Sequence, residues 1–198
     1  MNNRAIFASG LVLSVILLVG WSLAEEKKEL QETPSLETIA AYRNWTKVNA
    51  DPHTMLPGLA FDCRPLGNVP DKEKTSPHLG KQIVVYVNEL GQAAMSREKP
   101  KFSTGTIVVK EKLNAKNATE PELLTVMVKR KPGYDAEHGD WEYLTLDGKA
   151  SKITSRGKLE NCRSCHDGQK DTDYLFRFYM TDKDRERLTA LHKTSVPH

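Results

Sequence analysis

The chain has 198 residues, with 29 Lys and Arg against 26 Asp and Glu and a formal net charge of +3. A balance this close carries no polyanion-binding signal, so no nucleic-acid partner is expected. Once an N-terminal targeting segment is set aside, the remainder is long enough for one domain with its own core and too short for two.

Residues 1–24 have the form of a secretory signal peptide. Arg4 supplies the positive start, Ala5 to Gly20 an apolar run, and Ser22-Leu23-Ala24 a small-x-small cleavage site ahead of Glu25-Glu26. An uncleaved membrane anchor is the alternative, because the apolar run is nearly long enough to span a bilayer. Either way the folded part belongs outside the cytoplasm, with the periplasm the expected compartment. Residues 25–33 are expected to form a charged, flexible leader and residues 34–198 the folded domain.

Pro34 suits a first helical turn, and Leu36, Ile39, Ala40 and Tyr42 to Trp45 make an apolar stripe that predicts a helix over 35–48. From Asn49 to Lys81 the chain is rich in proline and glycine, which predicts a long irregular connection suited to wrapping a cofactor. Strands are predicted over 82–88, 105–110, 123–128 and 141–146, the last closed by Asp147-Gly148. Their continuous apolar runs imply cover on both faces. A helix is predicted over 182–193, with Leu188 and Leu191 on its apolar side.

The most specific feature lies just before that helix. Cys162-Arg163-Ser164-Cys165-His166 has the C-x-x-C-H spacing of a c-type haem attachment segment. Each thiol can add to one vinyl group, and the adjoining imidazole is then held beneath the iron. Two other readings of the residues stay open: a redox disulfide between Cys162 and Cys165, or a Cys3His zinc site that recruits Cys63. Cys63 is otherwise expected as a small buried hydrophobe.

The ordinary electron-carrier cytochrome is all-helical with its haem motif near the N-terminus. Here the motif is near the C-terminus of a strand-rich chain, and Met180 is the sole methionine downstream of it. A helical bundle is also excluded by the four strands. His53, His78 and His138 are candidates for a distal ligand, though each sits in a proline- or glycine-rich stretch typical of surface histidines. Met127 is a candidate apolar lid, Trp141 and Tyr143 candidate core aromatics, and Arg163 and Arg177 candidate partners for haem propionates.

The segments Tyr42 to Asn49, Val85 to Asn88, Phe102 to Lys112, Val126 to Arg130, Gly139 to Tyr143 and Cys162 to His166 followed by Thr172 to Phe176 run in order through most of the chain. In this pattern the chain resembles the cytochrome P-460 family. The resemblance implies an α+β fold: an antiparallel β-sheet sandwich-like core with flanking helices, and one covalent haem c per chain attached near the C-terminus. It implies an open, five-coordinate iron, a homodimer, a soluble electron carrier as partner, and redox chemistry on small nitrogen species such as hydroxylamine or nitric oxide. Relatives named cytochrome c-prime-beta, which bind gases, supply the non-catalytic alternative.

By motif position, a lysine that cross-links to the porphyrin in the founding members falls on Lys110. Without the resemblance, Lys110 reads as the solvated end of a strand. The carboxylate that hydroxylamine-oxidising members carry on the distal face falls on Thr125. A threonine cannot serve as the base a carboxylate would provide, and this departure weakens the expectation of hydroxylamine oxidation.

Overall fold

β-branched and aromatic runs separated by turn residues are enough to start a sheet, and a computed structural model shows how it is completed. The structure describes residues 33–55, 80–115 and 117–195. The expected signal peptide, the leader from 25 to 32, Cys63 and His78 lie outside the described residues. The chain divides into two units, Met1–Ser35 and Leu36–His198, and the second holds the fold.

Helix α1 (Leu36–Ala40) runs into a 3-10 turn (Ala41–Asn44), followed by β1 (Thr46–Lys47), β2 (His53–Thr54) and β3 (Gln82–Val87). Next come α2 (Glu89–Ser96), β4 (Ile107–Leu113), β5 (Leu123–Lys129), a 3-10 turn (Ala136–His138), β6 (Trp141–Asp147) and β7 (Ile153–Gly157). Helix α3 (Glu160–His166), a 3-10 segment (Asp167–Thr172) and α4 (Asp182–Ser195) complete the order. All ladders are antiparallel, in one seven-stranded sheet ordered β1-β3-β4-β5-β6-β7 with β2 also on β3. β1 pairs with Tyr86 and Val87, while β2 pairs with Gln82 and Ile83, so the two short strands share one edge. The expected α+β class with an antiparallel core and flanking helices is what the structure shows. Its layering comes from cover on both faces of a single sheet.

Strand alternation divides the core in two. On the front face, Ile83, Val85, Val87, Val108, Met127, Trp141 and Tyr143 pack with Ala94 and Met95 of α2, Leu188 of α4, and Leu175, Tyr179 and Met180 of the segment between. On the back face, Ile107, Val109, Leu124, Val126, Val128, Leu144 and Leu146 pack with Ile39 and Tyr42. Each such aliphatic side chain, fully buried, stabilises the fold by about 1.5–3 kcal/mol before chain entropy is counted. Glu111 is also buried on the back, and accepts hydrogen bonds from Tyr42 (2.5 Å) and Arg43 (3.0 Å).

The helix predicted over 35–48 is a correction. Only Leu36–Ala40 is α-helical, and by Thr46 the chain is a strand. The edge of β3 is the cause: Val48 donates to Val85 O at 2.7 Å, and the β-branched Thr46 pairs with Val87. Three elements escaped the sequence patterns. β2 lies within the stretch from Asn49 to Lys81 expected to be irregular, and it forms by pairing with β3. β7 is largely exposed and lacks an apolar alternation, so its place is set by pairing with β6. α2 contains Gly91, where a Cβ would lie 2.5 Å from both Thr106 Cγ2 and Val87 Cγ2. The glycine costs helix stability but lets α2 approach the sheet.

Thr181 and Asp184 form a reciprocal cap at the start of α4. Asp184 N donates to Thr181 Oγ1 (3.2 Å), and Thr181 N donates to Asp184 Oδ2 (3.0 Å). The other carboxylate oxygen accepts from Ala50 N (2.8 Å) and Arg187 (3.3 Å), which stitches α4 to the chain ahead of β2. Burial alone would raise the Asp184 carboxyl, but these donors hold it below its ordinary 3.8. A depressed carboxylate contributes stability above the unfolded value and loses it as pH falls through the folded one. Asp184→Asn is therefore expected to lower stability near neutrality by about 1–3 kcal/mol, with the difference from wild type shrinking below pH 3.8 in urea melts.

Candidate functional site

The C-x-x-C-H segment forms α3, whose first turn is set when Cys162 N and Arg163 N both donate to Leu159 O (2.9 and 3.0 Å). Helical spacing puts residues three and four apart on one face, so Cys162, Cys165 and His166 project together. All three are half-buried, and Cys162 packs on the front core. No disulfide joins Cys162 and Cys165.

His166 Nδ1 lies 2.6 Å from Tyr174 O. A carbonyl oxygen can only accept, so Nδ1 carries the proton and Nε2 is left as the basic nitrogen. Burial pushes the imidazole down to about 4, helped by the charge of Lys110 and opposed by the Tyr174 hydrogen bond. The ring is neutral at neutral pH, the state a metal ligand needs. Phe176 meets it edge-on at 4.9 Å, and Tyr143 of β6 packs against it at 5.3 Å. The Tyr143 hydroxyl is buried without a hydrogen-bond partner among the described residues, and burial keeps it protonated far above the ordinary tyrosine range.

The sheet brings the other predicted residues to this face. Register aligns Val108, Met127 and Tyr143 across β4, β5 and β6, and the next row aligns Lys110, Thr125 and Thr145. Lys110 and Thr125 are direct cross-strand neighbours and share the pleat side of Met127. Lys110 is half-buried, and its charge is felt by both Cys162 and His166. The strand-end lysine of the sequence pattern thus directs its charge at the C-x-x-C-H segment. Thr125 is half-buried beside it.

The remaining candidates divide. His53 is on β2, 5.5 Å from the Phe178 ring, with Nε2 buried and without a partner among the described residues. His138 pairs with Asp167 at 2.6 Å. Arg163 pairs with Asp135 (3.3 Å) and Glu160 (2.9 Å). Arg177 donates to Met95 O and Glu98 O, which satisfies carbonyls at the end of α2. Met180 is core, and Trp141 is wholly buried as expected.

The redox-disulfide reading weakens on electrostatics. A working dithiol needs a thiol lowered toward neutrality, and burial pushes the Cys162 thiol up instead. The zinc reading turns on Cys63, which lies outside the described residues; among the described residues, no group of three His, Cys, Asp or Glu side chains is arranged to hold a metal ion. Haem fits the arrangement better. The thiols sit one turn apart, the imidazole has its outer nitrogen engaged and its inner one available, and aromatic rings line the approach. Sequence patterns missed Tyr174, whose carbonyl fixes the imidazole, because a backbone acceptor carries no side-chain signature.

An α+β fold that presents a C-x-x-C-H segment against the face of an antiparallel sheet has the residues a c-type haem protein needs. The family model described as Cytochrome P460 matches residues 39–177, well over half of the chain. The chain belongs to the cytochrome P460 family, whose members bind haem. Among curated proteins, none matches it.

Proposed function

We propose that the chain is exported, carries one covalent haem c tethered by Cys162 and Cys165 with His166 on the iron, and performs redox chemistry on small nitrogen species at an open iron face. The single observation that supports this most is the imidazole of His166, neutral and with Nδ1–H committed to Tyr174 O at 2.6 Å. Bound haem supplies one-electron chemistry and a coordination position for a small molecule. The chain's own residues do the rest. The Tyr174 carbonyl fixes the tautomer of His166 and raises its strength as a donor. Met127 and Tyr143 exclude water on the sheet side. The charge of Lys110 must be resolved against the porphyrin edge by a cross-link, an ion pair or reach to solvent. A periplasmic location, a soluble electron carrier and a homodimer complete the proposal. Among the described residues no helix is long and apolar enough to cross a membrane.

A second reading, a gas-binding or electron-transfer protein of the cytochrome c-prime-beta type, is favoured by one observation. The neighbour of Lys110 on β5 is Thr125, which offers no base. Turnover of hydroxylamine by the purified protein with an electron acceptor would reject this second reading.

Mass spectrometry of haem peptides tests the attachment itself. The expected result is haem on the peptide that contains Cys162 and Cys165, and a bond at Lys110 would join a second peptide to it. A colourless, haem-free product from a host competent in cytochrome maturation would overturn the proposal.

A further inference from the structure

We infer that Lys129, Asp173 and Trp141 form a clamp that sets the strength of the hydrogen bond between His166 and Tyr174, which makes them positioning residues for the iron ligand. The inference rests on the haem proposal above and concerns residues outside the attachment motif.

The Tyr174 carbonyl belongs to a turn in which two successive non-glycine residues are left-handed, Asp173 at φ 54° and Tyr174 at φ 65°. Asparagine and aspartate tolerate this region, whereas a tyrosine in it persists only where its surroundings over-determine the backbone. The surroundings here do so. Lys129 Nζ donates to Asp173 Oδ1 (2.8 Å) and Oδ2 (2.9 Å), and Phe102 N donates to Oδ2 (2.8 Å). Trp141 Nε1 donates to the Asp173 carbonyl at 2.8 Å, and Tyr174 N donates to Gln169 O at 2.7 Å. Lys129 Nζ also donates to Gly139 O (2.8 Å) and lies 4.9 Å from the centre of the Trp141 ring. The Tyr174 hydroxyl donates to Glu137 O (2.8 Å), and a Cβ on Gly139, itself at φ 70°, would collide with the Tyr174 ring. The turn is thereby tied to β5, to β6 and to the chain ahead of β4.

The Lys129 and Asp173 side chains are 13% and 6% exposed, so the ion pair is largely shielded from solvent. Buried ion pairs are weak sources of stability because desolvation offsets their attraction. The use of this one is geometric: it holds the residue directly before Tyr174 in a backbone state that aims the carbonyl at His166 Nδ1. Without the clamp the turn relaxes, the hydrogen bond lengthens, and the imidazole donates less charge to iron.

The test uses the full chain loaded with haem and compares wild type with Lys129→Met and Asp173→Asn. The readouts are the iron–histidine stretching band of the reduced protein, by resonance Raman, and the midpoint potential. Both variants are expected to shift the band to lower frequency and raise the potential, with haem content unchanged. Lys112→Met, which removes the same charge from β4 beside Glu122, is expected to leave the band in place. Should the two clamp variants fail to accumulate, Trp141→Phe removes the hydrogen bond to Asp173 while keeping most of the ring volume, and is read in the same way. Folded variants with an unmoved band overturn the clamp alone. A wild-type chain with no iron–histidine band overturns the haem proposal, and the clamp with it.

Discussion

His166→Ala is expected to abolish the iron–histidine band completely while Cys162 and Cys165 still offer both points of attachment. His166 is the described imidazole that shares a helical face with the two thiols, and its outer nitrogen is already committed to Tyr174 O at 2.6 Å. His138 is engaged with Asp167, and His53 is two aromatic rings away, reached through Phe176 and Phe178. The substitution opens a slot walled by Phe176 and Tyr143, with the Tyr174 carbonyl at its end. Free imidazole has the shape and the N–H donor to fill that slot. Its addition is therefore expected to restore the band in the variant and to leave wild type unchanged. A band that survives the substitution without added imidazole would show that another residue holds the iron.

Trp141→Ala is expected to produce the largest loss of stability, about 3–5 kcal/mol from the cavity and the lost apolar surface. Trp141 is fully buried at the start of β6, stacks edge-on with Phe102 at 5.6 Å, and donates to the Asp173 carbonyl. For a domain of this size each kcal/mol lowers the melting temperature by about 2–4 °C, so a fall of roughly 6–20 °C is expected. Trp141→Phe keeps most of the volume and is expected to lose far less, about 1–3 kcal/mol from the unpaired carbonyl. Thermal melts followed by far-ultraviolet circular dichroism measure both. Equal losses in the two variants would mean that the indole N–H, rather than the ring, dominates.

The strands were legible in the chain because Gln82–Val87, Ile107–Leu113, Leu123–Lys129 and Trp141–Asp147 are rich in β-branched, aromatic and other apolar residues bounded by turn residues. The C-x-x-C-H segment stood out because it carries a fixed spacing over five residues. What stayed hidden depends on long-range pairing. β1 reads as the end of a helix until the edge of β3 offers it hydrogen bonds, and β7 has no apolar face to announce it. The adjacency of Lys110 and Thr125 is a property of register, which no local pattern encodes. The turn at Asp173 and Tyr174 was equally silent, since neither glycine nor proline marks it.

The row that contains Lys110, Thr125 and Thr145 is half-buried, and it lies one pleat from the buried row of Val108, Met127 and Tyr143. Position 125 can exchange a hydroxyl for a carboxylate with almost no loss of packing, because its neighbours on that row are a lysine and a threonine rather than core hydrophobes. The scaffold and the reagent are thus encoded in alternate residues of the same strand. A lineage could change the chemistry this face offers by single substitutions on one row while the fold is maintained by the other.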